Sequence, residues 1–411
     1  MKSDLDNLMK KHDVDMLFVS GAAQHNPAMN YFVGTAHVSD AFLVKARGRK
    51  PILFHFPMER EEAAKSGLEL ISYSKYPMTE LLKESGGNYL EALVLRMKKM
   101  LEDLKLTSGR VALYGKDEIG PLFAILTRLQ ELLPGIQLVG FAQDEILLNA
   151  MMTKDAQEVE QIREMGRITT DVVGKTADYL TGQRVANGVL VHTDDSPVTL
   201  GEVKNLINLW LAERGVENPE GTIFSIGRDA GIPHSVGNPS DWMRLGQTIV
   251  YDIYPCQAGG GYFYDFTRTW SLGYAPDEVQ QLYDQVKSVY DTLVKELKIG
   301  THFSYYQKRT CELFEAMGHP TIRTKPATET GYVHSVGHGI GLHVHEKPWS
   351  SEVNPSPTDL LERGSVFTLE PGLYYPDRGM GVRIEDSWYA RPDGNFEILA
   401  DFPKDLILPV K

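Results

Sequence analysis

Only two cysteines, Cys256 and Cys311, occur in 411 residues. That scarcity excludes a disulfide framework and a four-cysteine zinc site, and it fits a reducing compartment. No apolar stretch approaches the roughly 18 residues that a membrane span needs. The opening MKSDLDNLMKKHDVD lacks the apolar core of a secretory signal, so a cytoplasmic soluble protein is expected. Positive charge is also in deficit: 42 Lys and Arg stand against 55 Asp and Glu, a net charge of −13. Such a chain is a poor general ligand for nucleic acid or anionic membranes, which need clustered cations. The only dense basic run, Lys45 to Lys50, reads as a solvated loop. There is no low-complexity tract, no H-E-x-x-H, no G-x-x-x-x-G-K-[ST] and no G-x-S-x-G.

What is present is an ordered alternation of patterns. Residues 15–20 and 51–56 are short apolar runs that suit buried strands. A helix over 89–104, a strand over 111–115 and a helix over 120–133 complete a mixed α/β unit of residues 1–150. From 155 the texture changes. Helices are expected over 155–181 and 201–214, then strands over 222–226, 247–253 and 262–270, with Gly259-Gly260-Gly261 as a turn. The same order returns with helices over 276–298 and 304–317 and strands over 365–371 and 381–389, joined near Pro376–Gly379. Residues 155–411 thus read as two similar halves, each two helices followed by a hairpin. The segment 183–198 fits neither half and reads as an inserted loop or hairpin.

Each hairpin carries two acids in otherwise apolar or aromatic surroundings: Asp252 in IVYDIY, Asp265 in YFYDFT, Glu370 in VFTLEPG and Glu385 in GVRIED. Taken singly, each acid reads as a strand-end surface residue paired with Arg268 or Arg383. Four of them at matching positions of two halves read otherwise. Carboxylates converging in a core repel one another and lose hydration, and need cationic compensation. Two divalent ions would supply +4 against −4 and take hard oxygen ligands. Of twelve histidines, three lie in HGIGLHVH, residues 338–345, and His334 lies just upstream. His338 is flanked by glycines that permit close approach. His234, in GIPHS, precedes Asp252 and reads either as a cleft residue or as a structural histidine.

These residues together resemble the pita-bread metallopeptidase family, which includes methionine aminopeptidase, aminopeptidase P and prolidase. The likeness is carried by IPHS (232–235), VYDIYP…GYFYDFTRTW (250–270), GHGIGLHVHEKP (337–348), TLEPGLY (368–374) and GVRIED (381–386). The first 150 residues, with NYFVG at 30–34, resemble the amino-terminal domain of prolidase, aminopeptidase P and creatinase. Methionine aminopeptidases lack that domain, so the Xaa-Pro branch is favoured. The fold class implied is α+β: a pita-bread catalytic domain over 155–411 with pseudo-twofold halves, preceded by a smaller mixed α/β domain over 1–150.

Carried over position by position, the resemblance implies metal ligands at Asp252, Asp265, His338, Glu370 and Glu385. It implies catalytic roles for Glu370 and for the substrate-facing His234 and His345, with Arg383 and Thr267 supporting the ligands. The implied cofactor is a pair of divalent ions (manganese favoured among Mn, Co, Zn and Fe), and no other cofactor is expected. The implied activity is a dinuclear metallo-exopeptidase that attacks the bond before proline through a bridging hydroxide, acting on Xaa-Pro dipeptides or Xaa-Pro-Yaa termini. A homodimer is implied, with a small peptide as substrate and neither nucleic acid nor membrane as partner. Two alternatives stay open: a hydrolase of the same fold acting on a non-prolyl peptide or other amide, and a non-catalytic binding module. The connection between Asp252 and Asp265 is longer than in many relatives. It contains Cys256, either a thiol near the metals or an ordinary loop cysteine.

Overall fold

The computed structural model describes residues 4–410; residues 1–3, which begin the amino-terminal stretch read above, and residue 411 lie outside it. The chain divides into two compact units. One runs to Met151 and includes Gly259–Gly261; the other comprises Met152–Ala258 and the chain from Tyr262 onward. No helix among the described residues is long and apolar enough to cross a membrane.

The first unit is built on a six-stranded mixed sheet. Its strands lie in the order Glu69–Ser72, Ile52–His55, Phe42–Ala46, Met16–Ser20, Gly109–Gly115 and Ile136–Val139. Met16–Ser20 is buried along its whole length. It pairs antiparallel with Phe42–Ala46 and parallel with Gly109–Gly115, as suits a central strand covered on both faces. Helices Tyr89–Leu104 and Ile119–Leu132 supply Leu101, Leu126 and Leu129 as buried side chains. The basic run read as a solvated loop is an exposed turn from Arg47 to Lys50, but the reading is corrected at Lys45. Lys45 lies inside a strand, 1% exposed, with its Nζ 2.5 Å from Asp6 Oδ1 and 2.8 Å from the carbonyl of Arg49. Burial of this amino group is offset by the acceptors around it.

The second unit repeats its pattern twice. Helix Ala156–Thr181 opens with a capping box between Asp155 and Glu158, and Leu200–Glu213 opens on the Thr199 hydroxyl. A sheet follows, in the order Thr222–Ile226, Thr248–Ile253, Phe266–Leu272 and Ile407–Leu408. Its core gathers Ile162, Phe224, Tyr251 and Trp270. Helices Asp277–Glu296 and Ser304–Ala316 then precede a five-stranded sheet in the order Glu346–Trp349, His338–Gly339, Val366–Leu369, Asp386–Ala390 and Phe396–Ile398. A separate ribbon pairs Gly372–Tyr375 with Met380–Arg383. The second core gathers Val286, Tyr306, Phe367 and Val382.

Of the expected strands of the second half, 365–371 stops at Leu369 and 381–389 is interrupted at Ile384-Glu385. The chain leaves the five-stranded sheet after Leu369, forms the ribbon, and rejoins the sheet at Asp386. Glu370-Pro371 and Ile384-Glu385 are the crossing points. Pro371 has no N–H for a ladder, and its carbonyl instead accepts from the Ile384 amide at 3.3 Å. The strand expected over 262–270 begins later, at Phe266. There the Asp265 carboxylate accepts the Phe266 N–H at 2.9 Å, a local bond that competes with strand pairing. The segment 183–198 contains a hairpin, Arg184–Ala186 with Val189–Val191. Its turn residues, Asn187 and Gly188, both have positive φ, and Leu190 and Val198 anchor the segment in the first core.

Candidate metal centre

Of the four acids, Asp252 alone lies within a regular strand, next to its last residue. Its backbone pairs with Ile223 on one side and Thr267 on the other, which fixes its side chain to the face that Thr267 also presents. Oδ2 is salt-bridged to Arg383 Nη2, while Oδ1 is buried and has no hydrogen-bond partner among the described residues. Asp265 enters the adjacent strand. Its Oδ1 is taken by the Phe266 amide, and Oδ2 lies 3.6 Å from His338 Nε2.

His338 depends on its neighbours for room. A Cβ at Gly337 would sit 2.1 Å from the carbonyl oxygen of Thr368, and one at Gly339 would sit 1.9 Å from that of Lys347. Nδ1 of His338 donates to the Gly339 carbonyl at 3.0 Å, so Nε2 carries the lone pair. Nε2 faces Asp265 Oδ2 and Glu370 Oε1, the latter at 3.5 Å. Burial, aided by the neighbouring His345, lowers this imidazole to about 3, and it is therefore neutral. A lone pair directed at two carboxylates is unfavourable unless a cation or a proton lies between them.

Glu370 and Glu385 occupy the two crossing points. The Glu370 amide donates to Val336 O at 2.8 Å and the Glu385 amide to Thr267 O at 3.1 Å. The Thr267 hydroxyl donates to Glu385 Oε2 at 2.6 Å; Glu385 Oε1 is buried with no hydrogen-bond partner among the described residues. Burial raises the Glu370 carboxyl to about 8, with Arg383 opposing the rise and Asp252 adding to it. Burial likewise pushes Asp265 and Glu385 well above the ordinary carboxylate range, and the other acids of the cluster push them further. Single donor atoms of Asp265, His338 and Glu385 all lie within 4.8 Å of one another.

The charge expected from sequence needs one amendment. Arg383 is 2% exposed and already pairs with Asp252, so the four acids and Arg383 sum to −3. Its other N–H groups reach the Tyr374 hydroxyl at 2.7 Å, Thr267 Oγ1 at 3.2 Å and the Pro233 carbonyl at 3.3 Å. Arg268, the other cation weighed as a partner, does not compensate the cluster. It binds Asp386 Oδ1 at 2.7 Å and the Glu385 carbonyl at 2.7 Å, which leaves the Glu385 carboxylate to the centre.

All five donors border a cavity of ≈ 500 Å³, together with His234 and His345. The His345 ring lies 4.2 Å from that of His338, centroid to centroid, and burial lowers its pKa. His334, noticed in the sequence but assigned no role, also lines the cavity. Its Nδ1 donates to the Ser335 carbonyl at 2.7 Å, its Nε2 meets the Tyr374 hydroxyl at 2.8 Å, and Nδ1 is 3.9 Å from Glu370 Oε2. Its spacing ahead of His338 was the available signal. Tyr374 carried none, being one aromatic residue in an apolar strand. Cys256 is buried in the first core, on a short strand with Gln257 that pairs with Val216–Glu217.

Comparison with known proteins agrees in kind. The profile of Metallopeptidase family M24 matches residues 160–392. A putative dipeptidase of Bacillus subtilis, YkvY, is 29% identical over 269 residues, spanning 64% of this chain and 65% of that protein, just under two thirds of its length. The Xaa-Pro dipeptidase of Pyrococcus furiosus is 23% identical and covers 94% of each chain. The crystal structure of a dipeptidase from Pyrococcus horikoshii OT3 superposes with a TM-score of 0.74 at 21% identity, over 98% of each chain. That likeness shows the fold along nearly the whole length, with the pita-bread part where the family profile matches.

Proposed function

The chain belongs to metallopeptidase family M24, and from that premise we propose that it is a dinuclear-metal exopeptidase hydrolysing the peptide bond before proline. The observation that carries this reading is the meeting of Asp265, His338 and Glu385 donors within 4.8 Å, beside buried, unpartnered oxygens on Asp252 and Glu385. Hard oxygen donors with one neutral imidazole suit Mn, Co, Zn or Fe. Asp252, Asp265, His338, Glu370 and Glu385 would hold two such ions, manganese first among them. When bound, divalent ions lower the pKa of water and polarise a carbonyl.

The chain's own residues do the rest. Glu370 is suited to take a proton from the attacking water and to return it to the departing nitrogen. His345 and His234 border the cavity, where an imidazole N–H can stabilise a developing oxyanion. Arg383 pairs with Asp252, and Thr267 orients Glu385. The same reading takes the protein as a cytoplasmic homodimer, and residues 1–150 as a creatinase- or prolidase-like amino-terminal domain.

The test is a peptide series on protein loaded with Mn or Co: Ala-Pro, Ala-Pro-Ala, and the same peptides with alanine second. Cleavage of the proline series alone is expected. Equal cleavage of both series would instead favour a general dipeptidase, a reading that the name of the B. subtilis relative also suits. Protein that binds no metal after reconstitution and cleaves neither series would be a binding module of this fold.

A further inference from the structure

Residues 340–345 run from strand His338–Gly339 to strand Glu346–Trp349 and belong to no helix or strand themselves. The ladder closes this loop at its neck, where Gly339 pairs with Glu346. Backbone bonds fix its first half. Ile340 N–H donates to Val366 O at 3.1 Å, Gly341 N–H to His343 O at 3.1 Å, and Phe263 N–H to Gly341 O at 2.8 Å. The second half is tied by a side chain. Glu346 sends Oε1 to Lys154 Nζ, and its Oε2 accepts the His343 N–H at 3.5 Å. The two paired side chains are 0% and 2% exposed. Lys154 is itself anchored, its N–H donating to Gly364 O at 2.8 Å, just ahead of the capping box of helix Ala156–Thr181. The pair lies close against the loop. A Cβ at Gly341 would sit 2.8 Å from Lys154 Cε and 2.9 Å from the Glu346 carboxyl carbon.

An ion pair at this depth adds little stability that apolar residues of equal volume would not. What it adds is direction, because charge-assisted bonds fix geometry. The residue next to Glu346 is His345, whose ring borders the cavity and stands 4.2 Å from that of His338. His338 has supports of its own: its N–H donates to Thr368 Oγ1 at 3.2 Å and its Nδ1 to Gly339 O at 3.0 Å. We propose that the buried Lys154–Glu346 pair is a positioning device for His345, setting the loop that presents this imidazole to the substrate while touching neither substrate nor metal. This rests on the peptidase reading above for the task of His345, and not for what holds it in place.

The test replaces the pair by apolar residues of similar size, Lys154→Met with Glu346→Leu. The metal-free double variant should melt like the wild type, and manganese titration should give unchanged affinity. On the peptides named above, kcat should fall by up to about 100-fold, the cost of misplacing a group by about 1 Å, with little change in KM. In a His345→Ala background the same replacement should cost nothing further, since the group it positions is gone. Full activity of the double variant, an equal further loss in the His345→Ala background, or a melt or manganese affinity that falls in step with the rate would each overturn the proposal. Should the double variant fail to fold, Glu346→Gln carries the same cycle with the same expectations. Should the wild type cleave no peptide, the activity reading fails on its own. Magnetic resonance of metal-free protein with 13C-labelled histidine then decides: the His345 ring signal should shift or broaden in the variant while that of His338 stays, and an unmoved His345 signal overturns the proposal.

Discussion

The two halves of the second unit solve one problem in different ways. In the first half, aspartates with short side chains are set on or beside regular strands, and the ladder through Asp252 continues without a break. In the second half, glutamates with longer side chains sit where strands change sheets, at Glu370-Pro371 and Ile384-Glu385. The halves are also stitched crosswise. Arg383, from the second, pairs with Asp252 of the first. Thr267, from the first, orients Glu385 of the second. Neither half completes its own pair of acids. The cluster is therefore one electrostatic object and not two repeats laid side by side.

The largest effect should come from removing a donor that serves both halves. His338→Ala or Glu385→Ala is expected to lose more than the roughly 100-fold in metal affinity or activity that a supporting residue costs, read by metal titration beside a rate assay. Equal losses at Asp252 and Glu385 would uphold the single object; a loss of only one ion from each variant would split it.

Next is the cross-half salt bridge. Arg383→Met leaves Asp252 buried and unpaired, which should lower metal affinity about 10- to 100-fold and unfolding stability by about 3–5 kcal/mol, measured by urea melts of the metal-free protein. An unchanged melt would mean that Asp252 finds compensation within its own half.

A third test uses pH. The metal-free native protein holds a proton on Glu370 up to about 8, whereas an ordinary glutamate gives it up near 4.5. Between those values unfolding releases a proton, so metal-free stability should fall as pH rises from 4.5 towards 8 and then level off. Metal displaces the proton, so uptake should release protons and tighten across the same window. Chemical melts at pH 5 and pH 8, with chelator and with manganese, check both signs. A metal-free protein whose stability rises with pH would refute the shared burial of the acids.

The smallest effect should come from Thr267→Val, which removes one hydroxyl from Glu385 and from Arg383. About a tenfold loss of metal affinity is expected, with the melt little changed.

The helices of the second unit were legible because their apolar stripes are long and their ends are marked by Asp155, Thr199 and Pro276. The four acids stood out as a set: any one in IVYDIY or VFTLEPG reads as a strand-end surface residue, but four at matching positions of two halves do not. Strand Phe42–Ala46 was hidden by Lys45, whose partner Asp6 is remote in sequence. The strand breaks at Glu370 and Glu385 were hidden because apolar alternation runs through them, and only the tertiary setting shows that two sheets share the run. Arg383 could be nominated, but its choice of Asp252 depends on a contact between halves that no local pattern encodes. Tyr374 looked like an ordinary residue of a strand.

Arg383 has a consequence for descent as well as for chemistry. One guanidinium touches Asp252, Thr267, Tyr374 and the carbonyl of Pro233, immediately before His234. A substitution at any of these places alters the tolerance for change at the others. Lineages of this protein should therefore vary at these sites in concert, and a chimera joining the first half of one distant relative to the second half of another should fail even where each parent works.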